Sequence, residues 1–494
     1  MFKAKFLLTG FLMVFILLLT PGIGSGGASS PPEITYVDFP KEINADGTCV
    51  QGTVGFSDSN GDLLKAVFAV VAADDFRLFE VDPSPLQGQE EGEFSFEIST
   101  TTTQKVTLQL TLLDQEGNAS PSVFFTFEAI QACQSWSRTF GGSENDLAYS
   151  VQQTSDGGYI LLGATESYGA GSANFRLIKT DVQGNEEWER TFGGSEDDWG
   201  YSVQQTSDGG YILFGGSYGT RDGDFWLIKT DSQGNKQWER TFGGSDIDWG
   251  WSVQQTSDGG YILLGYTESY GTGKEDLWLI KTDSQGNKQW ERTFGGSSRD
   301  KGWSVQQTTD GGYILLGTTW SYGAGSADFW LIKTDSQGNK QWAKTFGGSE
   351  DDWGISVRQT EDGGYILLGD TKSYGVGSAD FWLIKTDAQG NKQWERTFGG
   401  SGDDQGYSVQ QASDGGYILL GTTWSYGAGS ADSWLIKTDA YGNKEWDRTF
   451  GGSDIDWGWS VQQTSDGGYI LLGCTASYGA RGLDFWLIKY CPEE

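Results

Sequence analysis

Histidine is absent from this chain of 494 residues, and cysteine, methionine and proline are scarce. Without histidine there is no Ser-His or Cys-His nucleophile pair and no imidazole general base, and the usual ligands of catalytic zinc, copper and haem are missing. Any catalysis would depend on Asp, Glu, Tyr, Lys or Arg. We therefore expect a protein that is not an enzyme. A glycan-cleaving enzyme is the weaker alternative, because it needs two carboxylates at a defined separation and no such pair stands out.

Positive charge is also scarce, with 33 Lys and Arg against 67 Asp and Glu and a formal net charge of −34. A surface of this sign repels phosphate backbones, which argues against binding to nucleic acid and to anionic membranes. No cofactor is expected, although the acidic surface leaves calcium open. The cluster Asp58-Ser-Asn-Gly-Asp62 has the composition of a turn between strands, with calcium binding as the alternative.

Long hydrophobic runs are missing except at the start of the chain, where Phe6–Leu19 follows Lys3 and Lys5. Small residues follow this run as far as Ser30. The pattern predicts a secretory signal peptide within residues 1–30, and the run is short for a membrane span. We expect a secreted, extracellular protein that is monomeric and has no membrane-inserted segment in its mature form.

Residues 31–130 contain short runs rich in Val, Phe and Thr between Gly/Asn/Asp turns, such as Thr48–Phe56, Leu63–Val71 and Lys105–Leu113. Alternating short strands over about 100 residues predict a small β-sandwich. The segment resembles the immunoglobulin-like domains that precede catalytic or binding modules in many secreted prokaryotic proteins.

Residues 131–494 are dominated by a repeat of about 52 residues, marked by the pentapeptide Thr-Phe-Gly-Gly-Ser. Its phenylalanine recurs seven times, at Phe140, Phe192, Phe242, Phe294, Phe346, Phe398 and Phe450. In one copy, strand-like runs at Ser252–Thr256, Tyr261–Gly265, Asp276–Lys281 and Lys288–Phe294 are separated by turns and one longer loop, and the second and third of these runs are largely apolar. Four strands per repeat, with apolar runs buried on both faces, predict an all-β, seven-bladed β-propeller with four-stranded blades.

The two ends of the repeat region predict how the ring closes. The first copy opens with a fourth-strand sequence, Ser135–Phe140, and the last copy stops after its third strand. The N-terminal strand should therefore complete the last blade. Alignment with the turn of the other copies places Cys133 opposite Cys491, close enough for a disulfide. A Cys49–Cys133 bond is the alternative, and Cys474 is expected to be a packed free thiol.

The recurring pattern W-x-R-T-F-G-G-S…D-G-G-Y-I-L-L-G resembles a family of secreted prokaryotic β-propeller repeat proteins, and the match spans residues 134–490. The resemblance implies a propeller fold and export. It implies no particular chemistry.

In a four-stranded blade the loops alternate between two ends, and only one end varies among the copies. It carries the blade-to-blade connection and the loop between the second and third strands, so we expect function there. Its aspartates recur in every blade, which favours structural hydrogen bonds, with cation or sugar binding as the alternative. Exposed Trp beside Asp is typical of sugar-binding surfaces, although these rings could instead cover blade junctions. The candidate binding residues are Trp199, Trp249, Trp353, Trp457, Trp320, Trp424, Asp198, Asp248, Asp352 and Asp456.

The favoured hypothesis is a secreted, non-catalytic binding or adhesion protein that recognises an extracellular glycan or protein through this variable end. A purely structural surface component is the alternative. For the enzymatic alternative, the residues that break the repeat are the ones to inspect. They are Arg176, Arg221, Asp222, Arg299, Lys301, Arg358, Asp370, Lys372 and Arg481.

Overall fold

The computed structural model describes residues 31–44, 50–59, 61, 63–72, 77–81, 89–99, 104–115, 117–130, 133–219 and 223–492. The predicted signal peptide, Cys49, Arg221 and Asp222 lie outside these ranges. The described residues form nine four-stranded sheets and no helix. The chain divides into two compact units, one ending at Cys133 and the other beginning at Gln134. The all-β prediction is confirmed.

The first unit contains two sheets that share one core. One sheet has the order β1-β3-β6-β5 and the other β2-β8-β7-β4. The core is rich in Phe, and the rings of Phe68 and Phe96, from different sheets, have centroids 5.0 Å apart. The strands are β1 (Glu33–Asp38), β2 (Glu42–Asn44), β3 (Val50–Ser57), β4 (Leu63–Ala72), β5 (Arg77–Val81), β6 (Glu91–Ser99), β7 (Gln104–Asp114) and β8 (Val123–Ile130).

The second unit contains seven sheets built from the repeat, which we number repeat sheets 1–7 in chain order. The first strands of the sheets are β10 (Asp146–Gln153), β14 (Asp198–Gln205), β18 (Asp248–Gln255), β22 (Asp300–Gln307), β26 (Asp352–Gln359), β30 (Asp404–Gln411) and β34 (Asp456–Gln463). The second strands are β11 (Tyr159–Thr165), β15 (Tyr211–Ser217), β19 (Tyr261–Thr267), β23 (Tyr313–Thr319), β27 (Tyr365–Thr371), β31 (Tyr417–Thr423) and β35 (Tyr469–Thr475).

The outer two strands of each sheet follow in the same order. The third strands are β12 (Asn174–Thr180), β16 (Asp224–Thr230), β20 (Asp276–Thr282), β24 (Asp328–Thr334), β28 (Asp380–Thr386), β32 (Asp432–Thr438) and β36 (Asp484–Tyr490). The fourth strands are β13 (Glu186–Phe192), β17 (Lys236–Phe242), β21 (Lys288–Phe294), β25 (Lys340–Phe346), β29 (Lys392–Phe398), β33 (Lys444–Phe450) and, for sheet 7, β9 (Trp136–Phe140).

Burial explains why the second and third strands have unbroken apolar sequences. In repeat sheet 3, β19 and β20 are buried along nearly their whole length, whereas β21 is largely exposed or half-buried. The apolar side chains of neighbouring sheets share their cores: Phe214 of sheet 2 packs in one cluster with Leu263 and Trp278 of sheet 3. A sheet covered on both faces needs no polar alternation, so its strands are continuously apolar. The third-strand Trp residues are buried, as their positions predict.

Hydrogen bonds link the first strands of the seven sheets in a cycle. In every sheet a valine N–H donates to a serine Oγ of the preceding sheet, at 3.2 to 3.4 Å. The bond from Val151 of sheet 1 to Ser460 of sheet 7 joins the two ends of the series. Each sheet therefore contacts the next, and the last contacts the first.

The N-terminal strand of the repeat region belongs to the last sheet, as the two chain ends predict. Strand β9 pairs antiparallel with β36, so Trp136 lies opposite Lys489. Cys133 and Cys491 form the predicted disulfide. Cys474 is a buried free thiol whose Sγ accepts the Ala148 N–H at 3.2 Å, as expected of a packed cysteine.

The first strands begin earlier than the sequence indicates. In repeat sheet 3 the apolar alternation places the start at Ser252, but β18 begins at Asp248. The extra residues pair with the end of β19 beyond a bulge between Gly250 and Ser252. The glycine and the bulge interrupt the period of two, which conceals the strand from a pattern search. Residues 248–251, which the sequence pattern places in the connection between sheets, therefore lie on a strand.

Candidate functional site

The connections at the two ends of each repeat sheet are held by different interactions. At one end, which we call the loop end, the loop after the second strand bonds to the connection from the preceding sheet. The Trp320 N–H donates to the Arg299 carbonyl at 2.9 Å, and the Tyr322 hydroxyl donates to the Gly295 carbonyl at 2.8 Å. At the other end, the turn end, Lys281 forms an ion pair with Asp258 at 2.9 Å. The loop end is the variable end of the sequence.

The aspartates of the loop end are structural groups. All seven are at most 2% exposed and begin the first strands. Asp300 shows the pattern: its carboxylate accepts the Gly296 N–H at 2.9 Å and the Ser321 hydroxyl at 2.6 Å. The candidate binding residues Asp198, Asp248, Asp352 and Asp456 accept the corresponding glycine N–H at 2.8 to 2.9 Å. Because these carboxylates are buried, they hold the loop backbone through hydrogen bonds. None of this set is exposed to a ligand in solution.

Burial also changes the acidity of these groups. It raises the pKa of Asp198 and of Asp248, although hydrogen bonds to each carboxylate oppose the shift. Carboxylates in this position are desolvated and are stabilised by fixed N–H and hydroxyl donors. That arrangement is suited to holding loops in one conformation.

The six candidate tryptophans fall into three groups. Trp353 and Trp424 are exposed, at 37% and 41%. Trp199, Trp320 and Trp457 are half-buried. Trp249 is 7% exposed and is not available as a surface ring.

The reason for the burial of Trp249 lies in the preceding sheet. Its ring packs over Gly216, where a Cβ would meet the indole at 2.6 Å, and against Tyr218 with centroids 5.0 Å apart. Other copies carry a larger residue at the Gly216 position, so only here is there room for the ring. Trp249 therefore covers a junction between sheets.

A set of tyrosines at the loop end was missed by the sequence analysis. Each follows a serine in the loop between the second and third strands and has a ring that is 39 to 46% exposed. Each hydroxyl donates to a glycine carbonyl of the preceding connection at 2.7 to 3.0 Å, so the ring is fixed. They are Tyr168, Tyr270, Tyr322, Tyr374, Tyr426 and Tyr478. Their recurrence within a Ser-Tyr-Gly sequence of the variable loop is the signal that could have identified them.

The first strands of all seven sheets surround a cavity of about 520 Å³, which we call the aromatic cavity. Its wall is formed by the fourth residue of each first strand, and six of these seven residues are aromatic. Neighbouring rings touch, with centroid separations of 4.0 to 5.2 Å. In order around the wall they are Tyr407, Trp459, Tyr149, Tyr201, Trp251 and Trp303, and Ile355 stands in the seventh place.

Among the described residues that line the aromatic cavity, the charged ones all come from repeat sheet 5. Arg358, Asp370 and Lys372 all line the cavity and all come from this sheet. They are three of the residues that break the repeat, and the structure brings them to the same cavity as Ile355. The other repeat-breaking residues within the described ranges line different parts of the molecule. Sequence comparison could have found these residues by noting that three departures fall in one copy.

The charged residues lie at different depths. Trp353, Asp370 and Lys372 are at the loop end, because Trp353 pairs with Asp370 across β26 and β27. Arg358 is five residues further along β26, roughly 15 Å away at the rise of an extended strand. The cavity thus extends from its loop-end side, which we call the mouth, past the aromatic wall at the level of Ile355, to Arg358 on its turn-end side, which we call the floor.

The mouth contains a carboxyl group with altered acidity. Burial raises the pKa of Asp370 to about 7; the charge of Lys372 opposes this shift, and Asp352, Asp403 and Asp351 add to it. The Lys372 ammonium lies 3.6 Å from the Asp351 carboxylate. The pKa of Asp370 therefore lies much closer to neutral pH than that of an ordinary aspartate.

Within the described ranges, no group of three or more Cys, Asp or Glu side chains is placed to hold a metal ion. Asp58 is buried, but residues 60 and 62 of the turn for which calcium binding was the alternative lie outside those ranges. The described residues also include no helix that could cross a membrane.

Comparison with known proteins adds little. No family model and no curated protein matches the chain. Among solved structures, Sqt1 from Chaetomium thermophilum is 11% identical, with 69% of this chain and 83% of that chain covered and a TM-score of 0.41. A protein of unknown function from Dyadobacter fermentans is 12% identical (73% and 100% covered, TM-score 0.40). An auxiliary nutrient binding protein from Bacteroides ovatus is 9% identical (94% and 99% covered, TM-score 0.34). At these TM-scores the likenesses carry no argument about this chain.

Proposed function

We propose that this chain is a secreted, non-catalytic binding protein whose seven repeat sheets are the blades of a β-propeller, and that it recognises an extracellular glycan through the loop end. The cyclic hydrogen bonds between first strands and the shared fourth strand of sheet 7 support the closed ring. The Cys133–Cys491 disulfide suits an oxidising compartment.

The observation that carries the binding role is the display of fixed aromatic rings at the loop end. Trp353, Trp424 and the six loop tyrosines are at least one-third exposed, whereas the third-strand tryptophans are at most 8% exposed. Rings whose hydroxyls are pinned lose little freedom when a ligand stacks on them, so binding costs less conformational entropy. Near-equivalent sites around the ring would act together through avidity.

The positions of the carboxyl groups support the proposal that the protein is not an enzyme. Glycoside hydrolysis by the usual route needs two carboxyl groups on either side of the scissile bond. Asp370 is the one carboxylate among the described residues that line the aromatic cavity. The seven aspartates that begin the first strands are buried in repeated structural roles.

A glycan array probed with the purified protein, with and without calcium, tests this proposal. We expect binding to a defined set of glycans that is lost in the Trp424→Ala variant. The control is Tyr441→Ala, which removes a 70% exposed ring from a turn-end hairpin. An array without binding would favour a purely structural surface component, and binding that Trp424→Ala leaves unchanged would contradict recognition through Trp424.

A further inference from the structure

The floor of the aromatic cavity carries a cation for which the described residues provide no counter-charge. Within the described residues Arg358 makes two hydrogen bonds, both through Nη1, to the Val357 carbonyl at 2.9 Å and to Ser304 Oγ at 3.5 Å. It forms no ion pair with any described carboxylate, and burial lowers its pKa. A guanidinium has five N–H donors, so Nε and Nη2 remain to bind a ligand.

Other interior cations of the repeat sheets are neutralised. The buried lysine near the end of each third strand pairs with an aspartate of the neighbouring turn, as Lys281 does with Asp258 at 2.9 Å. Arg176, the buried arginine of sheet 1, pairs with Glu189 at 2.9 Å. Arg358 is half-buried and lines the cavity. Because charges that are removed from bulk water are normally paired, its unpaired state among the described residues points to a partner that comes from outside the chain.

Arg358 also replaces a residue with a structural task. In the other six sheets this position is a glutamine whose Oε1 accepts a backbone N–H of the next sheet at 2.6 to 2.9 Å. Arginine has no acceptor and cannot make this bond. Sheet 5 therefore lacks this hydrogen bond to the next sheet, at the position where it places a positive charge in the cavity.

The surroundings of Arg358 suit an anion with a ring attached. Six serine hydroxyls line the cavity, at the first-strand position that accepts a valine N–H, and each keeps its own proton to donate. Above them stands the aromatic wall, which can contact the faces of a sugar ring. The volume of about 520 Å³ lies in the usual range of small-molecule sites, roughly 300–1,000 Å³.

The charge of the site favours one negative charge over two. The remaining cation of the cavity, Lys372, is at the mouth and is partly neutralised by Asp351. The chain as a whole carries a formal charge of −34, which repels dianions such as phosphate esters. A carboxylate matches the planar fork of a guanidinium in two parallel hydrogen bonds.

We propose that the aromatic cavity is a binding site for a hexuronic acid, alone or at the end of a short saccharide, with its carboxylate on Arg358. This deepens the proposed function, on which it rests for the binding role, but it uses a different site from Trp424. It assigns to repeat sheet 5 the ligand specificity that six near-equivalent sheets cannot provide.

Isothermal titration of the purified protein with glucuronate, glucose and glucose 6-phosphate tests the assignment. We expect glucuronate to bind at least tenfold more tightly than either other probe. Arg358→Gln restores the residue of the other six sheets and should fold. It should weaken glucuronate binding at least tenfold and leave glucose binding unchanged. Arg448→Gln, the same charge change on an exposed outer strand, should leave both affinities within twofold.

Three results would overturn the assignment: no binding of glucuronate, equal affinity for glucose or for glucose 6-phosphate, or glucuronate affinity that is unchanged in Arg358→Gln. Trp424→Ala separates this proposal from the broader one. Loss of array binding in Trp424→Ala together with unaltered glucuronate binding supports both sites. If array binding depends on Trp424 and glucuronate does not bind, the cavity proposal fails and the broader proposal stands.

Discussion

The indole rings of Trp320 and Trp353 meet edge to face, with their centroids 5.7 Å apart. Trp320 lies in the loop of repeat sheet 4 and Trp353 on the first strand of sheet 5, so the contact joins two neighbouring sheets. Trp424 occupies the position of Trp320 two sheets further on and is 41% exposed. Some loop-end tryptophans thus cover sheet junctions, and others are free to contact a ligand.

This difference predicts different stability effects. Trp320→Ala removes an aromatic contact and the apolar surface that it buries, and should lower the free energy of unfolding by about 1–2 kcal/mol. Trp424→Ala should change it by less than about 0.5 kcal/mol. Chemical denaturation of both variants beside the unaltered protein measures this. Equal losses would mean that Trp424 is also a packing residue.

Asp404 tests the structural role of the loop-end aspartates. It accepts the Gly400 N–H at 2.8 Å and the hydroxyls of Ser425 and Thr423. Asp404→Ala leaves these buried donors unpaired and should cost about 3 kcal/mol of unfolding free energy. The control Asp454→Ala, an exposed aspartate of the next connection, should cost less than about 0.5 kcal/mol. A loss in Asp404→Ala no larger than in the control would contradict the pinning role.

Much of this arrangement follows from the sequence because it is imposed by local chemistry. The Asp-Gly-Gly turn predicts a positive φ, and Gly259 has a φ of 81°. The apolar runs Tyr261–Gly265 and Asp276–Lys281 lie within β19 and β20. The pairing of β9 with β36 was also predictable, because the first copy begins with a fourth-strand sequence and the last copy stops after its third strand.

The aromatic cavity could not be found in this way. Its wall residues, such as Trp251, lie within a bulge and were assigned to a loop, and a wall of this kind exists only when seven sheets bring their first strands together. The burial of Trp249 depends on Gly216 of another sheet, a contact 33 positions away in the chain that no local pattern encodes.

Asp370 predicts a change of stability with pH. Its pKa is raised to about 7 in the folded protein from 3.8, so the folded state holds a proton that the unfolded chain releases. Stability should therefore fall as pH rises from about 4 to 7, with the full cost present above pH 7. Asp370→Thr, the residue of sheets 4 and 6, should remove this cost.

Thermal melting at pH 4 and pH 8 checks this expectation. The gain in Tm of Asp370→Thr over the unaltered protein should be several degrees larger at pH 8 than at pH 4, and Asp454→Thr should show no such difference. A gain that is the same at both pH values would mean that ionisation of Asp370 carries no cost.

The Cys133–Cys491 disulfide should stabilise the repeat region by constraining the unfolded chain. For loops longer than 100 residues the chain-entropy model assigns about 5 kcal/mol. The double variant Cys133→Ser/Cys491→Ser should melt roughly 10 °C lower than the unaltered protein. Reductant should lower the Tm of the unaltered protein and leave that of the variant unchanged. A melting temperature insensitive to both changes would show that the bond does not stabilise the repeat region.

The most direct test of the account compares the two ends of the repeat sheets. The dissociation constant of the glycan bound best on the array should be measured for the unaltered protein, Trp424→Ala and Tyr441→Ala. Binding through the loop end predicts at least a tenfold weaker affinity for Trp424→Ala and a change of less than twofold for Tyr441→Ala. The reverse order of effects, or none in either variant, would contradict it.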